Sequence, residues 1–270
     1  MREEFYTQEA VYDRLYKQEG YLIPDIPDYK ITGGRELKNK KILVLGAGLA
    51  RDIKYLIGQN EIWAVDFSDR AVKYLKTLGV KAYKLDLNKP LSITNTTFDI
   101  VVAKDILEHL NDPSILVGEI RRLLSPSGYV VINVPNHFYL SMRLRMLFGK
   151  NIIWKSFFHN HTKLFEEWNY MHKIFFTWKG FKKMLKMNHL KIKKTFLDFG
   201  TLNHYSQPEL VFINLLAKNN SLTSRLMVKA LKHIWELFNA AFPRKIRYFI
   251  VSLSPSLFCA SFYVWCSREK

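Results

Sequence analysis

Lys41-Ile42-Leu43-Val44-Leu45-Gly46-Ala47-Gly48 carries an almost unbroken apolar run straight into a pair of glycines. Such a run predicts a parallel strand buried on both faces, then a tight turn. Glycine permits that turn and lets a ligand come close to the backbone. Beyond it, Ile53, Leu56 and Ile57 are spaced to share one side of a helix over residues 50–57. A helix there would aim its first amides, and the positive end of its dipole, at a polar or anionic ligand.

Outward from this unit, apolar runs and helical spacings alternate. Glu61 to Asp66, Lys81 to Leu85, Phe98 to Ala103 and Gly128 to Val134 read as strands, with helices from Arg70 to Leu78 and from about Pro113 to Leu124. Thr177 is placed to cap a helix reaching Met187, Leu190 to Phe199 reads as a sixth strand, and Leu257 to Cys266 closes the chain as another. Ser221 to Phe242 has a helical apolar pattern with Lys and Arg on its other faces. Strands alternating with helices predict an α/β fold with an open, mostly parallel sheet covered on both sides.

Ligands of such sheets bind beyond the carboxyl ends of the strands. Asp66 ends the second strand, twenty positions after Gly46, and suits the hydroxyls of a ribose. Asp86 ends the third and suits an adenine amine. Each acid also suits a turn or a helix cap, and both readings stand at this point. A dinucleotide fingerprint of the G-x-G-x-x-G type is excluded, because Arg51 occupies the position of its last glycine.

Asp105-Ile106-Leu107-Glu108-His109-Leu110-Asn111-Asp112-Pro113, then Leu123-Leu124-Ser125-Pro126-Ser127-Gly128 and Asn133-Val134-Pro135-Asn136, complete a pattern with the glycine turn and the two acids. Over Lys40 to Asn136 the chain resembles the class I S-adenosylmethionine-dependent methyltransferases. The resemblance implies a Rossmann-like class I fold, a mostly parallel seven-stranded sheet with helices on both faces and insertions in the carboxyl half. It implies S-adenosyl-L-methionine as cofactor, with Gly46, Ala47 and Gly48 along its methionyl end, Asp66 and Phe67 at the ribose, and Asp86 and Leu87 at the adenine. Lys104 and Asp105 are expected to face the sulfonium and the incoming substrate. More faintly, Met142-Arg143-Leu144-Arg145 and His172-Lys173-Ile174-Phe175-Phe176-Thr177-Trp178 resemble methyltransferases of surface-glycan and lipid biosynthesis and the methyltransferase-like family associated with methionine biosynthesis. Two positions depart from the family pattern: Val44 stands where an acid is usual, and Ala50 where a third glycine is usual. Asp52 is the residue placed to compensate for the missing acid.

Methyl transfer to a hydroxyl needs alignment of the nucleophile and removal of its proton. Histidine suits that removal near neutral pH. His109 and His172 are the candidate catalytic residues, with His137, His159 and His161 also near the expected site. His159-Asn160-His161 has no Cys or regular acidic partner nearby, so no metal is expected.

The chain reads as a single domain, with an amino-terminal helical cap (1–39), a cofactor-binding core (40–136), a lid insertion (137–176), remaining core (177–200 and 256–270) and a helical insertion (201–255). The lid is aromatic, with Trp154, Phe157, Phe158, Phe165, Trp168, Tyr170, Phe175 and Phe176, and suits either a local core or an acceptor surface. A net charge of +17 favours anionic partners, among them a membrane surface that the 221–247 stretch would touch. The same stretch suits a homodimer contact. Nucleic acid is not expected, because no RNA-binding module or Asn-Pro-Pro-Tyr-type motif accompanies the charge. Cys259 and Cys266 form no zinc or disulfide pattern, and the amino terminus lacks a signal peptide, so a cytoplasmic protein, peripheral at the membrane, is expected. The uncharged stretch Tyr248 to Cys266 is interrupted by Pro255 and reads as two strands or a strand and a turn. The expected activity is methyl transfer to an oxygen or nitrogen of a small molecule, sugar or lipid-linked glycan precursor. The alternative is a catalytically weak, cofactor-binding accessory or regulatory protein.

Overall fold

The computed structural model describes residues 28–147, 149, 172–197 and 244–269. In chain order these form β1 (Lys41–Leu45), β2 (Glu61–Asp66), α1 (Asp69–Thr77), β3 (Lys81–Lys84), β4 (Phe98–Lys104), α2 (Pro113–Leu123), β5 (Leu124–Pro135), α3 (Leu140–Leu147), α4 (Trp178–Met187), β6 (Leu190–Phe196), α5 (Arg244–Leu253), α6 (Pro255–Phe258) and β7 (Ser261–Arg268). The strands make one seven-stranded sheet in the order β3-β2-β1-β4-β5-β7-β6. The first five are parallel to one another, and β7 runs antiparallel to both β5 and β6.

The apolar run of β1 is buried because the sheet is covered on both sides. Leu43 and Leu45 point into a core that includes Leu116, Val117, Ile120 and Leu123 of α2 and Phe181 and Leu185 of α4. Ile42 and Val44 point into the opposite core, with Val72 and Leu75 of α1 and Ile31. Each fully buried aliphatic side chain contributes about 1.5–3 kcal/mol.

The helices start where side chains accept otherwise unpaired amides. Ser68 accepts from Ala71 N–H, Asp112 from Ser114 N–H with Pro113 in the first turn, and Thr177 from Gly180 N–H as its position in the sequence indicates.

Three local expectations are corrected. Residues 50–57 form successive turns with a single 3₁₀ turn at Lys54–Leu56 instead of a helix. Gly48 at φ 50° and Ala50 at φ 55° are left-handed, which breaks the helical path before it begins. The stretch from Tyr248 is helical up to Phe258, and its strand starts only at Ser261. Pro255 opens α6 in the first turn, where its missing N–H is harmless. Residues 28–39 form turns and no helix.

The strands and helices expected elsewhere match to within a few residues, except that β5 begins at Leu124. The rest of the expected cap, most of the lid with His159 and His161, and the helix of Ser221 to Phe242 lie outside the described residues. Among the described residues, no helix is long and apolar enough to cross a membrane.

Candidate active site

At the end of β1 the glycine turn is built on β2. Gly46 N–H and Ala47 N–H both donate to the Val65 carbonyl, at 2.8 and 3.2 Å, and Gly48 N–H donates to Asp66 Oδ2 at 2.7 Å. These amides are therefore committed inside the protein, and no helix dipole stands behind them. The turn requires glycine at position 46 because Ile106 packs directly against it. Gly46 sits at φ 68°, and a Cβ there would lie 2.8 Å from Ile106 Cδ1. Ala50, where the resemblance expects a third glycine, is left-handed at φ 55° and fully buried.

Asp66 is buried and spans two elements, since its Oδ1 accepts from Ser68 N–H at 2.9 Å while Oδ2 holds Gly48. Asp86 accepts from the backbone and side-chain amides of Asn88, at 2.9 and 3.0 Å, and remains partly open. Both acids thus serve as turn acceptors, and carboxylate oxygens retain further lone pairs for a ligand. Phe67 is half-buried beside Asp66. The Leu87 side chain packs into the core, so only its backbone faces the edge of the sheet that the sequence assigned to adenine.

Lys104, expected to face the sulfonium and the incoming substrate, turns its side chain into the protein. Its ammonium is buried, 2.6 Å from both Asp28 Oδ2 and Asp52 Oδ2, because a cation removed from water must find acids. Burial opposes its charge, but Asp52, Asp28 and Asp105 overcome that and raise its pKa above the ordinary lysine range. Lys104 lies on the same sheet face as Val44, at whose position the family carries an acid. Here Val44 is core, and the acids arrive instead from Asp28, Asp52 and Asp105. Asp28, which the sequence reading missed, accepts from Tyr263 O–H at 2.9 Å. No local motif marks it, since its partners lie up to 235 residues away.

Asp105 sits in the left-handed region at φ 50°. Its N–H donates to the Asn133 carbonyl, and its Oδ1 accepts from Asn133 Nδ2 at 2.7 Å. The residue keeps an exposed surface, yet the surrounding protein and the neighbouring acids raise its pKa despite Lys104. Asn133 Oδ1 is buried without a partner among the described residues.

The turn at Leu107–His109 brings together residues distant in sequence. The Glu108 carbonyl accepts from Lys173 N–H and Ile174 N–H, at 2.7 and 3.1 Å, which docks His172 beside it. The His109 and His172 rings meet edge to face with centroids 4.7 Å apart. His137 Nε2 lies 2.8 Å from His172 Nδ1, and Phe175 packs on the His137 ring. Burial pushes His137 down to about 4 and His172 down to about 3, reinforced by the neighbouring imidazoles, so both rings are neutral. Glu108 is 1% exposed, with Oε2 unpartnered among the described residues, and burial followed by Asp105 raises its pKa well above the usual range. The two expected catalytic histidines are thus brought together, while the sequence reading gave Glu108 no role. The signal was the Glu108-His109 pair immediately after strand four.

Residues 43–132 match the family model described as a methyltransferase domain. No curated protein matches the sequence. Among solved structures, the chain is similar to a S-adenosylmethionine-dependent methyltransferase of Methanosarcina mazei, with 13% identity, TM-score 0.55, and 90% of this chain and 99% of that one covered. It is also similar to the Haloferax volcanii putative methyltransferase in complex with the Trm112 methyltransferase activator, with 12% identity, TM-score 0.54, and coverage of 96% and 98%. A third likeness is to Haemonchus contortus phosphoethanolamine N-methyltransferase 2, with 15% identity and TM-score 0.52; 98% of this chain aligns with 58% of that one. At these identities the solved structures establish the fold.

Proposed function

We propose that this chain is a class I S-adenosylmethionine-dependent methyltransferase, as the methyltransferase-domain match over residues 43–132 supports, and that it methylates an oxygen or nitrogen of a small molecule, a sugar or a lipid-linked glycan precursor. The observation that carries this reading is the meeting, on the turn after β4, of an acid-rich edge and a cluster of neutral histidines.

The cofactor supplies a methyl group made electrophilic by a positively charged sulfur. Asp28, Asp52 and Asp105 outnumber Lys104 and give that edge a negative potential, which suits a sulfonium and an ammonium and repels a diphosphate. Asn133 orients the Asp105 carboxylate through its Nδ2 donor. In this reading Asp66 and Phe67 hold the ribose, Asp86 and the Leu87 backbone hold the adenine, and Gly46, Ala47 and Gly48 border the methionyl end. Lys104 acts from behind as a positioning residue for Asp28 and Asp52. His109 and His172 stand on the acceptor side and activate its nucleophilic atom.

An apolar portion of the acceptor has surfaces to meet. Leu140, Leu144 and Leu147 of α3 are exposed, as are Tyr248, Phe249 and Leu253 of α5. α3 follows the carboxyl end of β5 closely, and α5 precedes β7, whose Ser261 pairs with Pro135 at that end. Both helices therefore connect to the edge that carries His137, which favours a lipid-linked acceptor within the proposed class.

Calorimetric titration tests the cofactor side. S-adenosylmethionine is expected to bind and a nicotinamide dinucleotide not to, with Asp66→Ala weakening the former by at least about tenfold, or ~1.4 kcal/mol. Unchanged affinity in Asp66→Ala would remove Asp66 from the site. Transfer of a radiolabelled methyl group to hydroxylated, amine and lipid-linked glycan acceptors tests the rest. Cofactor binding with no transfer to any of them would overturn the acceptor proposal and favour an accessory role.

A further inference from the structure

We propose that Glu108, His109 and His172 form a site for one divalent cation of the zinc class, which holds the acceptor oxygen opposite the methyl donor. The proposal deepens the assignment of His109 and His172 to the acceptor side, and rests on it.

The geometry is that of a site with one ligand too few. A ring nitrogen of each histidine and a carboxylate oxygen of Glu108 lie within 4.8 Å of one another, and His109 Nε2 stands 3.8 Å from Glu108 Oε1. Ligands with metal bonds of about 2.0–2.2 Å sit roughly 3.3 Å apart in a tetrahedral site, so small side-chain rotations close the set. Two imidazoles and one carboxylate leave a fourth position open, which is the arrangement of catalytic rather than structural zinc. Imidazole nitrogen also selects zinc and its neighbours over magnesium or calcium.

A second observation is independent of that spacing. The Glu108 Oε2 atom is fully buried and has no hydrogen-bond partner among the described residues. A carboxylate oxygen left bare in the interior is costly unless a cation or a donor meets it. The surroundings also hold the ligands in place. His137 hydrogen-bonds the His172 ring, as outer partners of metal-bound histidines do, and the two amides on the Glu108 carbonyl fix the backbone of both halves.

A hydroxyl oxygen in the open position would lose its proton to water more readily, because the cation stabilises the alkoxide. The oxygen lone pair then forms the new bond to the methyl carbon as the carbon–sulfur bond breaks with its electron pair returning to sulfur.

The test uses tag-free, chelator-treated full-length protein titrated calorimetrically with Zn²⁺, and separately with S-adenosylmethionine. The native protein is expected to bind one Zn²⁺. Glu108→Gln and His172→Ala are each expected to weaken it by more than about a hundredfold, beyond the ~10–100-fold loss of an outer partner. Both variants should keep the native S-adenosylmethionine affinity, which shows that they fold. A His159→Ala/His161→Ala protein should bind Zn²⁺ normally. Absence of Zn²⁺ binding, or its loss only in the His159/His161 variant, would overturn the site. Failure of S-adenosylmethionine binding with Zn²⁺ binding intact would instead sink the cofactor reading and leave the metal site standing.

Discussion

Lys104 illustrates how a single buried cation can hold separate parts of the chain together. Asp28 precedes the sheet, Asp52 belongs to the turns after β1, and Tyr263, which donates to Asp28, is on β7. Removing one member of a buried ion pair leaves its partners charged and unsatisfied, which typically costs about 3–5 kcal/mol. Lys104→Met is therefore expected to lower the free energy of unfolding in urea by about that amount. Adding Asp28→Asn should restore part of the loss, because one of the stranded charges is then gone. If Lys104→Met leaves stability unchanged, the pairing does not hold these segments. The raised pKa of Lys104 means that its contribution persists throughout the neutral range and is lost only at alkaline pH, as the folded-state pKa is passed.

Between β3 and β4, the loop through Leu91 and Ile93 is tied down by α2. Glu119 Oε2 accepts from Leu91 N–H at 2.9 Å, and Arg122 donates to the Ile93 and Leu91 carbonyls and to Glu119. The Arg122 hydrogen bond, followed by that of Leu91, holds the Glu119 carboxyl below its ordinary value of 4.5 against the effect of burial. A carboxylate whose pKa is depressed on folding adds stability above its unfolded pKa and loses it as pH falls through the folded one. Glu119→Gln is thus expected to cost on the order of 1 kcal/mol at pH 7. The gap from the native protein should close as pH falls through the depressed folded-state pKa of Glu119. Urea titrations at several pH values check this. A gap independent of pH would mean that the carboxylate charge is not what ties the loop.

The whole molecule distributes its charge unevenly: it carries a net +17, yet Asp28, Asp52 and Asp105 gather around Lys104 at the edge proposed to meet the cofactor's positive end. Long-range attraction of anions and local attraction of a sulfonium are therefore separate properties. A ligand that binds only the folded state adds about 2.7 kcal/mol at a hundredfold excess over its Kd. For a chain of this size that amounts to a rise in Tm of roughly 5–10 °C. Saturating S-adenosylmethionine is expected to produce such a shift in a thermal melt, and a nicotinamide dinucleotide to produce none. Equal shifts with both would contradict the acid-edge argument.

The amino-acid sequence by itself determined the alternation of strands and helices, the glycine turn, and the acids at the ends of β2 and β3. These follow from local periodicity and from the rule that ligands of open sheets meet the carboxyl ends of strands. It could not reveal that Ala50 and Gly48 are left-handed and so replace a helix with turns, because tertiary packing overrides spacing in so short a segment. Nor did it place Leu87 in the core, pair Lys104 with Asp28, or seat His172 and His137 beside Glu108 and His109. Those contacts join residues tens of positions apart, and only the folding of the sheet, which sets β4 between β1 and β5, brings them to one edge.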